Sequence, residues 1–483
     1  MIIDFEYKNQ KLIISYIDKT GNIKLKYYPW SKPTKMITTS DDDPDKSGRF
    51  VTWDGTSVKE VYTKYPNKYA IYDFIDELPK EELDILFEYT EPNIFFVDIE
   101  NEILDKKPEP QKAESAIQTI SIVNKNKVLV IGTAPLDESQ IKSINEDINL
   151  YFKKFNPNYE FKYIRYKSEY DMLLNFFKVM VPKMSAITGW NFIGYDWVFL
   201  VNRARNIGID PTLSSFTGVL KKSYKENDFK ELPAHRIIVD YMELYQKWDT
   251  AVKVKESSAL DFVSEKILGL KKVNYEGNLT QLYENDYKKF VFYNAVDSIL
   301  VQKIHDKMRY IDILYGISTL SRVPVTSAFS TLAITEGAMR KKLKDEKNIV
   351  LCKLEDSSDD ESDVGVKGGF VKDPVKGMAT WTTCYDFASL YPTVMRQFNI
   401  SPDSYRGQKI KGKNMTLFNG HQLQIEDDDI VCINGAVFKD DQSIVRDVLS
   451  HIYLERKKYK KQMIIAFKEM EELVKELEEL ENS

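Results

Sequence analysis

The chain has 483 residues, 43% hydrophobic and 29% charged, with 74 Asp and Glu against 68 Lys and Arg for a net charge of −6. That is too long for one core, and about 150 residues per domain predicts three or four domains of an ordinary soluble, globular composition. No apolar run approaches the roughly 20 residues that span a bilayer and no signal-peptide layout opens the chain, so a cytoplasmic protein without membrane contact is expected. The acidic balance argues against unselective coating of phosphate backbones, yet basic residues can still line a local channel. Cys352, Cys384 and Cys432 are odd in number and lack metal-ligand spacing, which predicts reduced thiols.

Residues 1–92 alternate apolar and polar positions, as in Lys11-Leu12-Ile13-Ile14-Ser15-Tyr16, with turns at Thr20-Gly21-Asn22 and Asp54-Gly55. This predicts a β-rich N-terminal domain. Over 93–322 apolar strands (Ile94 to Val97, Ile117 to Val123, Val128 to Ile131) alternate with helical stretches such as Tyr170 to Val181, the pattern of an α/β domain with a mixed sheet. The charge block 355–363 cannot bury apolar surface and reads as a linker or loop. Within 364–442, strand-like text surrounds Lys367-Gly368-Gly369-Phe370 and Trp381 to Phe387, and 443–483 reads as one long helix.

Asp98-Ile99-Glu100 ends an apolar run, and on a strand residues i and i+2 share a face, so both carboxylates can reach one metal cluster. Alone, that triplet is an ordinary acidic strand end. Asn191-Phe192-Ile193-Gly194-Tyr195-Asp196 follows a second apolar run and has the form of a strand-to-helix turn. Tyr293 and Asp297 are four apart on a helical stretch from Tyr287 to Lys307, so phenol and carboxylate share a face. Hard divalent cations favour such oxygen ligands.

Taken in order on these elements, the three motifs resemble the 3′→5′ exonuclease motifs of the family B DNA polymerases. Tyr385-Asp386-Phe387-Ala388-Ser389-Leu390-Tyr391-Pro392 resembles the first catalytic motif of the same family. Arg396-Gln397-Phe398-Asn399-Ile400-Ser401-Pro402 and Lys367 to Val371 extend the likeness toward the T-even bacteriophage group. The resemblance implies a ribonuclease H-like exonuclease domain over 93–322, with residues 323–354 returning to the N-terminal domain. It further implies a partial polymerase palm over 364–442 and the first fingers helix over 443–483.

For the exonuclease, the resemblance implies that Asp98, Glu100 and Asp297 hold two Mg²⁺ or Mn²⁺ ions, with Asp196 completing the cluster directly or through water. One ion would activate water and the other stabilise the leaving 3′ oxygen. Tyr293, with an ordinary phenolic pKa near 10, would orient the water rather than act as base, and Asn191 would contact DNA. The motifs contain no histidine, which excludes a histidine-base variant. Phe229 to Tyr241 resembles the hairpin that separates primer from template, with turn character at Leu232-Pro233-Ala234-His235.

For synthesis, the resemblance makes Asp386 a catalytic ligand of two metal ions and the Phe387 carbonyl a further ligand. Leu390 and Tyr391 would lie under the incoming dNTP, with Tyr391 excluding a 2′-hydroxyl. Arg456 and Lys460, i and i+4 in the basic cluster Arg456 to Lys461, would grip the triphosphate, and Gly368 and Gly369 would contact the template. The sequence contains neither the Asp-Thr-Asp motif nor the Lys-x-x-x-Asn-Ser-x-Tyr-Gly helix of the family. This leads to the expectation of a split polymerase whose N-terminal subunit is completed by a C-terminal subunit carrying the remaining fingers, palm and thumb. Primer-template and single-stranded DNA, dNTP and other replication proteins are the expected partners. A stand-alone exonuclease, or a nucleic-acid-binding regulator with a vestigial palm, is the alternative. An apolar stripe through Met463, Phe467, Met470, Val474, Leu477 and Leu480 marks the terminal helix as an expected joint.

Overall fold

The structure is a computed structural model that describes every residue except 104–107, 223–230, 250–256, 353–371, 374, 379, 419 and 482–483. The acidic segment 355–363 and the Lys367–Val371 motif with Gly368 and Gly369 lie outside the described residues. Two compact units are present: Met1–Ser31 with Leu78–Ile334, and Lys32–Glu77 with Thr335–Ser483. None of the described helices is long and apolar enough to cross a membrane.

In the first unit a six-stranded sheet runs in the order Ile237–Asp240, Ala186–Gly189, Ile94–Asn101, Ile117–Asn124, Lys127–Gly132, Glu160–Arg165. The first three strands are parallel, the next two continue as an antiparallel meander, and the last is parallel to its neighbour. The mixed pattern follows from the connections. A two-residue turn suffices between Asn124 and Lys127, whereas parallel neighbours require helical crossovers. Ile117–Asn124 is buried on both faces, as a strand with helices on either side must be. One of those helices is Tyr287–Met308, whose Ser298 Oγ meets Ser121 Oγ at 2.5 Å. On the other side, Phe176, Phe177, Phe192, Trp197 and Phe199 form the centre of the core. Arg203 grips Glu169 with two parallel N–H···O bonds of 2.9 and 2.7 Å, and Glu169 in turn accepts the Ile117 N–H, tying helix Asp196–Asn206 to the sheet. The N-terminal strands Ile2–Lys8, Lys11–Ile17 and Ile23–Pro29 form a separate antiparallel meander.

The hairpin departs from its expected position. Leu220–Lys222 pairs with Glu231–Pro233, so Leu232 and Pro233 lie in the ladder and not at a tip. His235 is fully buried, with its N–H donating to Asp4 and Nδ1 3.0 Å from Ser15 Oγ. Ala234 and His235 do form a turn, His235 at φ 62°, but it follows the ladder strand instead of joining the two strands.

In the second unit, helix Lys68–Asp76 lies against helix Thr331–Lys347 through the ion pairs Arg340–Asp76, Lys344–Asp73 and Lys68–Glu336. A five-stranded antiparallel sheet orders His421–Gln424, Met415–Phe418, Tyr405–Lys409, Ala436–Lys439, Asp429–Val431, and its short, weakly alternating strands give little sequence signal. Trp381 to Phe387, expected as a strand, is fully exposed and forms none. β-rich text becomes a strand only where another strand pairs with it, and among the described residues it has no ladder partner. Helix Ile444–Glu481 closes the unit.

Candidate active sites

Asp98 and Glu100 project from one face of Ile94–Asn101 while Ile99 between them is buried. Helix Tyr287–Met308 crosses that face and brings Asp297 over it. Carboxylate oxygens of Asp98, Glu100 and Asp297 all lie within 4.8 Å of one another, the one such grouping among the described residues. Asp196 opens helix Asp196–Asn206 and approaches from the side, its Oδ1 accepting the Ile99 N–H at 3.1 Å. The turn that delivers it is tight. Asn191 adopts φ 56°, Tyr195 N–H closes back on the Asn191 carbonyl at 2.9 Å, and a Cβ on Gly194 would meet Asn191 Oδ1 at 2.3 Å. Tyr195 donates its hydroxyl to Asn101 Oδ1 at 3.1 Å, joining the turn to the end of the carboxylate strand.

Like charges gathered away from water resist ionisation. Burial first, then the Asp297 charge, pushes Asp98 up to about 7. Burial followed by Asp98 raises both Glu100 and Asp196 well above the usual carboxylate range. Asp297 is raised by burial, against the opposing pull of Lys272. Lys272 Nζ sits 2.5 Å from Asp297 Oδ2 and 3.4 Å from Tyr293 Oη. Burial disfavours its charge, but Asp297, Tyr293 and Asp98 outweigh burial and keep it protonated. Tyr293 is raised by burial and then by Asp297, so it remains a phenol at neutral pH. Asn294 donates to Asp98 Oδ2 at 2.7 Å, while Asp297 Oδ1 is buried without a hydrogen-bond partner. An all-oxygen set with an unused buried acceptor and repelling charges fits hard divalent cations.

Lys272 and Asn294 were not read from the sequence. Asn294 lies inside the Tyr293–Asp297 motif and faces Asp98 because i+1 of Tyr293 turns toward the sheet. Lys272 belongs to no motif. It follows the left-handed cap at Gly269 (φ 68°) of helix Leu260–Leu268, and its N–H is held by Asp261 Oδ1 at 2.9 Å.

In the second unit, Asp386, Ser389, Tyr453, Arg456, Lys460 and Ile464 line a cleft of ≈490 Å³. Helix Leu390–Gln397 starts from Ser389 at φ 52° and is clamped to Ile444–Glu481. Arg396 donates to Ser450 Oγ and Arg446 donates to the Arg396 carbonyl, both at 2.9 Å, and the Arg396 guanidinium stacks 5.0 Å from the Tyr453 ring. The clamp sets Asp386 opposite Arg456 and Lys460. Phe387, Leu390 and Tyr391 are exposed and are not among the residues lining this cleft. Asn191, at the start of the turn that leads to Asp196, is exposed.

A profile of the family described as DNA polymerase family B, exonuclease domain, matches residues 67–260, and one described as DNA polymerase family B matches 334–478. The helix bearing Tyr293 and Asp297 falls between the two matches. The chain is similar to the DNA-directed DNA polymerase of Enterobacteria phage T4, 27% identical over 62% of this chain and 34% of the relative. It is 24% identical to that of Escherichia phage RB69 over 79% of this chain and 44% of the relative. DNA polymerase 1 of Saccharolobus solfataricus is 24% identical over 68% of this chain and 37% of the relative. The chain thus spans less than half the length of each of these three relatives.

Proposed function

Since the chain belongs to the family B DNA polymerases and carries their exonuclease domain, we propose that its first unit removes nucleotides from the 3′ end of single-stranded DNA. The convergence of Asp98, Glu100 and Asp297 within 4.8 Å carries this reading. In it, these three carboxylates, with Asp196 beside them, hold two Mg²⁺ or Mn²⁺ ions. When bound, the ions supply water activation at neutral pH and charge stabilisation at the leaving oxygen. The chain's own groups do the rest. Asn294 fixes one oxygen of Asp98, which leaves the other to face the cleft. Tyr293, kept as a phenol, orients the attacking water by a hydrogen bond. The Lys272 ammonium places fixed positive charge where a phosphodiester gathers negative charge.

The second unit is proposed to contribute Asp386, Arg456 and Lys460 to nucleotide addition on a primer-template, with the two cations aimed at a dNTP triphosphate. The Phe387 carbonyl would be a further metal ligand beside the nucleotide, Leu390 and Tyr391 would pack against that nucleotide, Asn191 would contact the 3′ strand, and Gly368 with Gly369 the template. Domain limits of 93–322 for the exonuclease, 364–442 for a partial palm and 443–483 for a first fingers helix belong to the same reading. Two-metal transfer needs more than one carboxylate, and among the described residues Asp386 is the only carboxylate lining its cleft. A separate polypeptide, a C-terminal subunit of a split polymerase, would supply the second and cover the exposed stripe of helix Ile444–Glu481. A cytoplasmic setting accords with this reading.

The test is hydrolysis of a 5′-labelled oligonucleotide by the purified chain with Mg²⁺. The wild type shortens it from the 3′ end, and Asp98→Ala/Glu100→Ala loses at least about 10³-fold in rate. Undiminished hydrolysis by the double variant would sink the assignment.

A further inference from the structure

Asp240 ends strand Ile237–Asp240, directly across the parallel ladder from Gly189. Its side chain is buried, 3% exposed, and accepts three backbone N–H groups. Oδ1 takes Met242 N–H at 3.0 Å, the N-cap bond of helix Tyr241–Trp248. Oδ2 takes Ile193 N–H at 3.0 Å and Gly194 N–H at 3.4 Å. Those two amides belong to the five-residue turn Asn191–Tyr195, which ends one residue before Asp196. On its far side Asp196 is held by the Ile99 N–H at 3.1 Å, from the strand that carries Asp98 and Glu100. The turn is therefore pinned between the two strands that flank Ala186–Gly189 in the sheet, by a carboxylate on one side and an amide on the other. Its residue Asn191 sits in the left-handed region at φ 56°.

Resting on the exonuclease reading, we propose that Asp240 is a positioning residue of the carboxylate centre, fixing Asp196 through the Ile193 and Gly194 amides. A residue that only capped helix Tyr241–Trp248 would need one oxygen. Here the second oxygen is spent on a different element, and that element leads to a site residue. Burial of a carboxylate is costly unless each oxygen is paired, and the pairing chosen here links the helix cap to the turn.

Asp240→Asn separates the two roles. Asn caps a helix as well as Asp, but its amide can offer an acceptor to only one of the two elements and turns a donor toward the other's N–H. Asp240→Ser, also a good cap and too short to reach the turn, is the second variant. The readouts are calorimetric Mn²⁺ titration, amide hydrogen exchange over residues 192–196, and the kcat and KM of oligonucleotide hydrolysis, with Asp98→Ala alongside. Expected for both Asp240 variants are Mn²⁺ affinity weakened by about 10-fold or more, kcat lowered by about 10–100-fold with KM for DNA within about 2-fold, and faster exchange in the turn. Unchanged Mn²⁺ affinity and kcat in Asp240→Asn, or losses that vanish on cooling in step with a lowered melting temperature, would overturn the positioning role. Should Asp98→Ala leave Mn²⁺ binding intact, the carboxylate centre itself is misassigned. Should Asp98→Ala abolish binding while Asp240→Asn and Asp240→Ser do not, the failure belongs to Asp240 alone.

Discussion

The Lys272 ammonium lies 2.5 Å from Asp297 Oδ2, on the side of the carboxylate cluster also occupied by the Tyr293 hydroxyl. A cation is thus built into a site whose acidic groups repel one another. Without bound metal it is the counter-charge that makes the cluster tolerable.

Replacing Lys272 by Met removes that counter-charge while keeping the aliphatic stem. Orphaning a fully buried charge costs about 3–5 kcal/mol; the carboxylate left behind, Asp297, is 3% exposed but is already raised by burial and can take up a proton, so a loss of about 1–3 kcal/mol is expected in chelator. Added Mg²⁺ should restore more stability in Lys272→Met than in the wild type, because the ions take over the neutralising role. Thermal melts with and without Mg²⁺ measure both. An equal Mg²⁺ effect in the two proteins would contradict the counter-charge account.

The pH dependence has a definite sign. Asp98 titrates at about 7 in the folded chain, raised from 3.8, and Glu100 and Asp196 are raised as well. Between those values the folded state holds protons that the unfolded state has lost, so stability falls as pH rises. In chelator, the melting temperature should decline as pH rises from about 4 through about 7, where Asp98 becomes ionised in both states. Asp98→Asn removes part of that cost. At pH 8 in chelator it should melt roughly 1–3 °C above the wild type, while being inactive with Mg²⁺. A lower melting point for Asp98→Asn under those conditions would mean that the cluster is not strained.

What the sequence made legible was local. The spacing of Asp98 and Glu100 fixes a shared strand face, and that of Tyr293 and Asp297 a shared helix face, because periodicity belongs to the backbone. The Asn191–Asp196 turn is legible through Gly194. Lys272 and Asp240 were not, since each acts across a long loop or a parallel crossover, and nothing in Leu270-Lys271-Lys272 or Ile238-Val239-Asp240 distinguishes them from solvated residues. Trp381 to Phe387 failed differently. Its composition suits a strand, but pairing is a property of two segments. The sheet between Tyr405 and Lys439 was missed because strands such as Tyr405–Lys409 and His421–Gln424 carry mostly polar residues and present little alternation.

Two glycines near the centre should respond differently to alanine. A Cβ on Gly189 would sit 2.3 Å from the Val97 carbonyl oxygen, backbone of the strand that carries Asp98, so the strands must part. A Cβ on Gly194 meets the Asn191 side-chain oxygen, which can rotate away. Gly189→Ala should therefore cost about 1–3 kcal/mol and displace Asp98, while Gly194→Ala costs less. Urea unfolding ranks the two, and equal losses would show that the strand spacing at Gly189 is softer than the geometry implies.

The last prediction concerns helix Ile444–Glu481. Its first turns are anchored: Asp403 accepts the Ile444 N–H at 3.1 Å, and Arg446 and Ser450 hold helix Leu390–Gln397. Beyond Lys461 every described side chain is exposed, and Met463, Phe467, Met470, Val474 and Leu477 repeat every three or four residues at 46–59% exposure. A lone helix cannot bury such a stripe, and its exposure is costly unless another element covers it. If that element belongs to the polypeptide that completes the polymerase site, Phe467→Glu/Val474→Glu places charge in the joint without touching Arg456 or Lys460. The double variant should lose co-purification with a C-terminal family B segment and lose primer extension in the mixture. Oligonucleotide hydrolysis from the 3′ end should persist at the wild-type rate, because Asp98, Glu100, Asp196 and Asp297 lie in the other compact unit. Full primer extension by the double variant at limiting partner concentration would place the joint elsewhere.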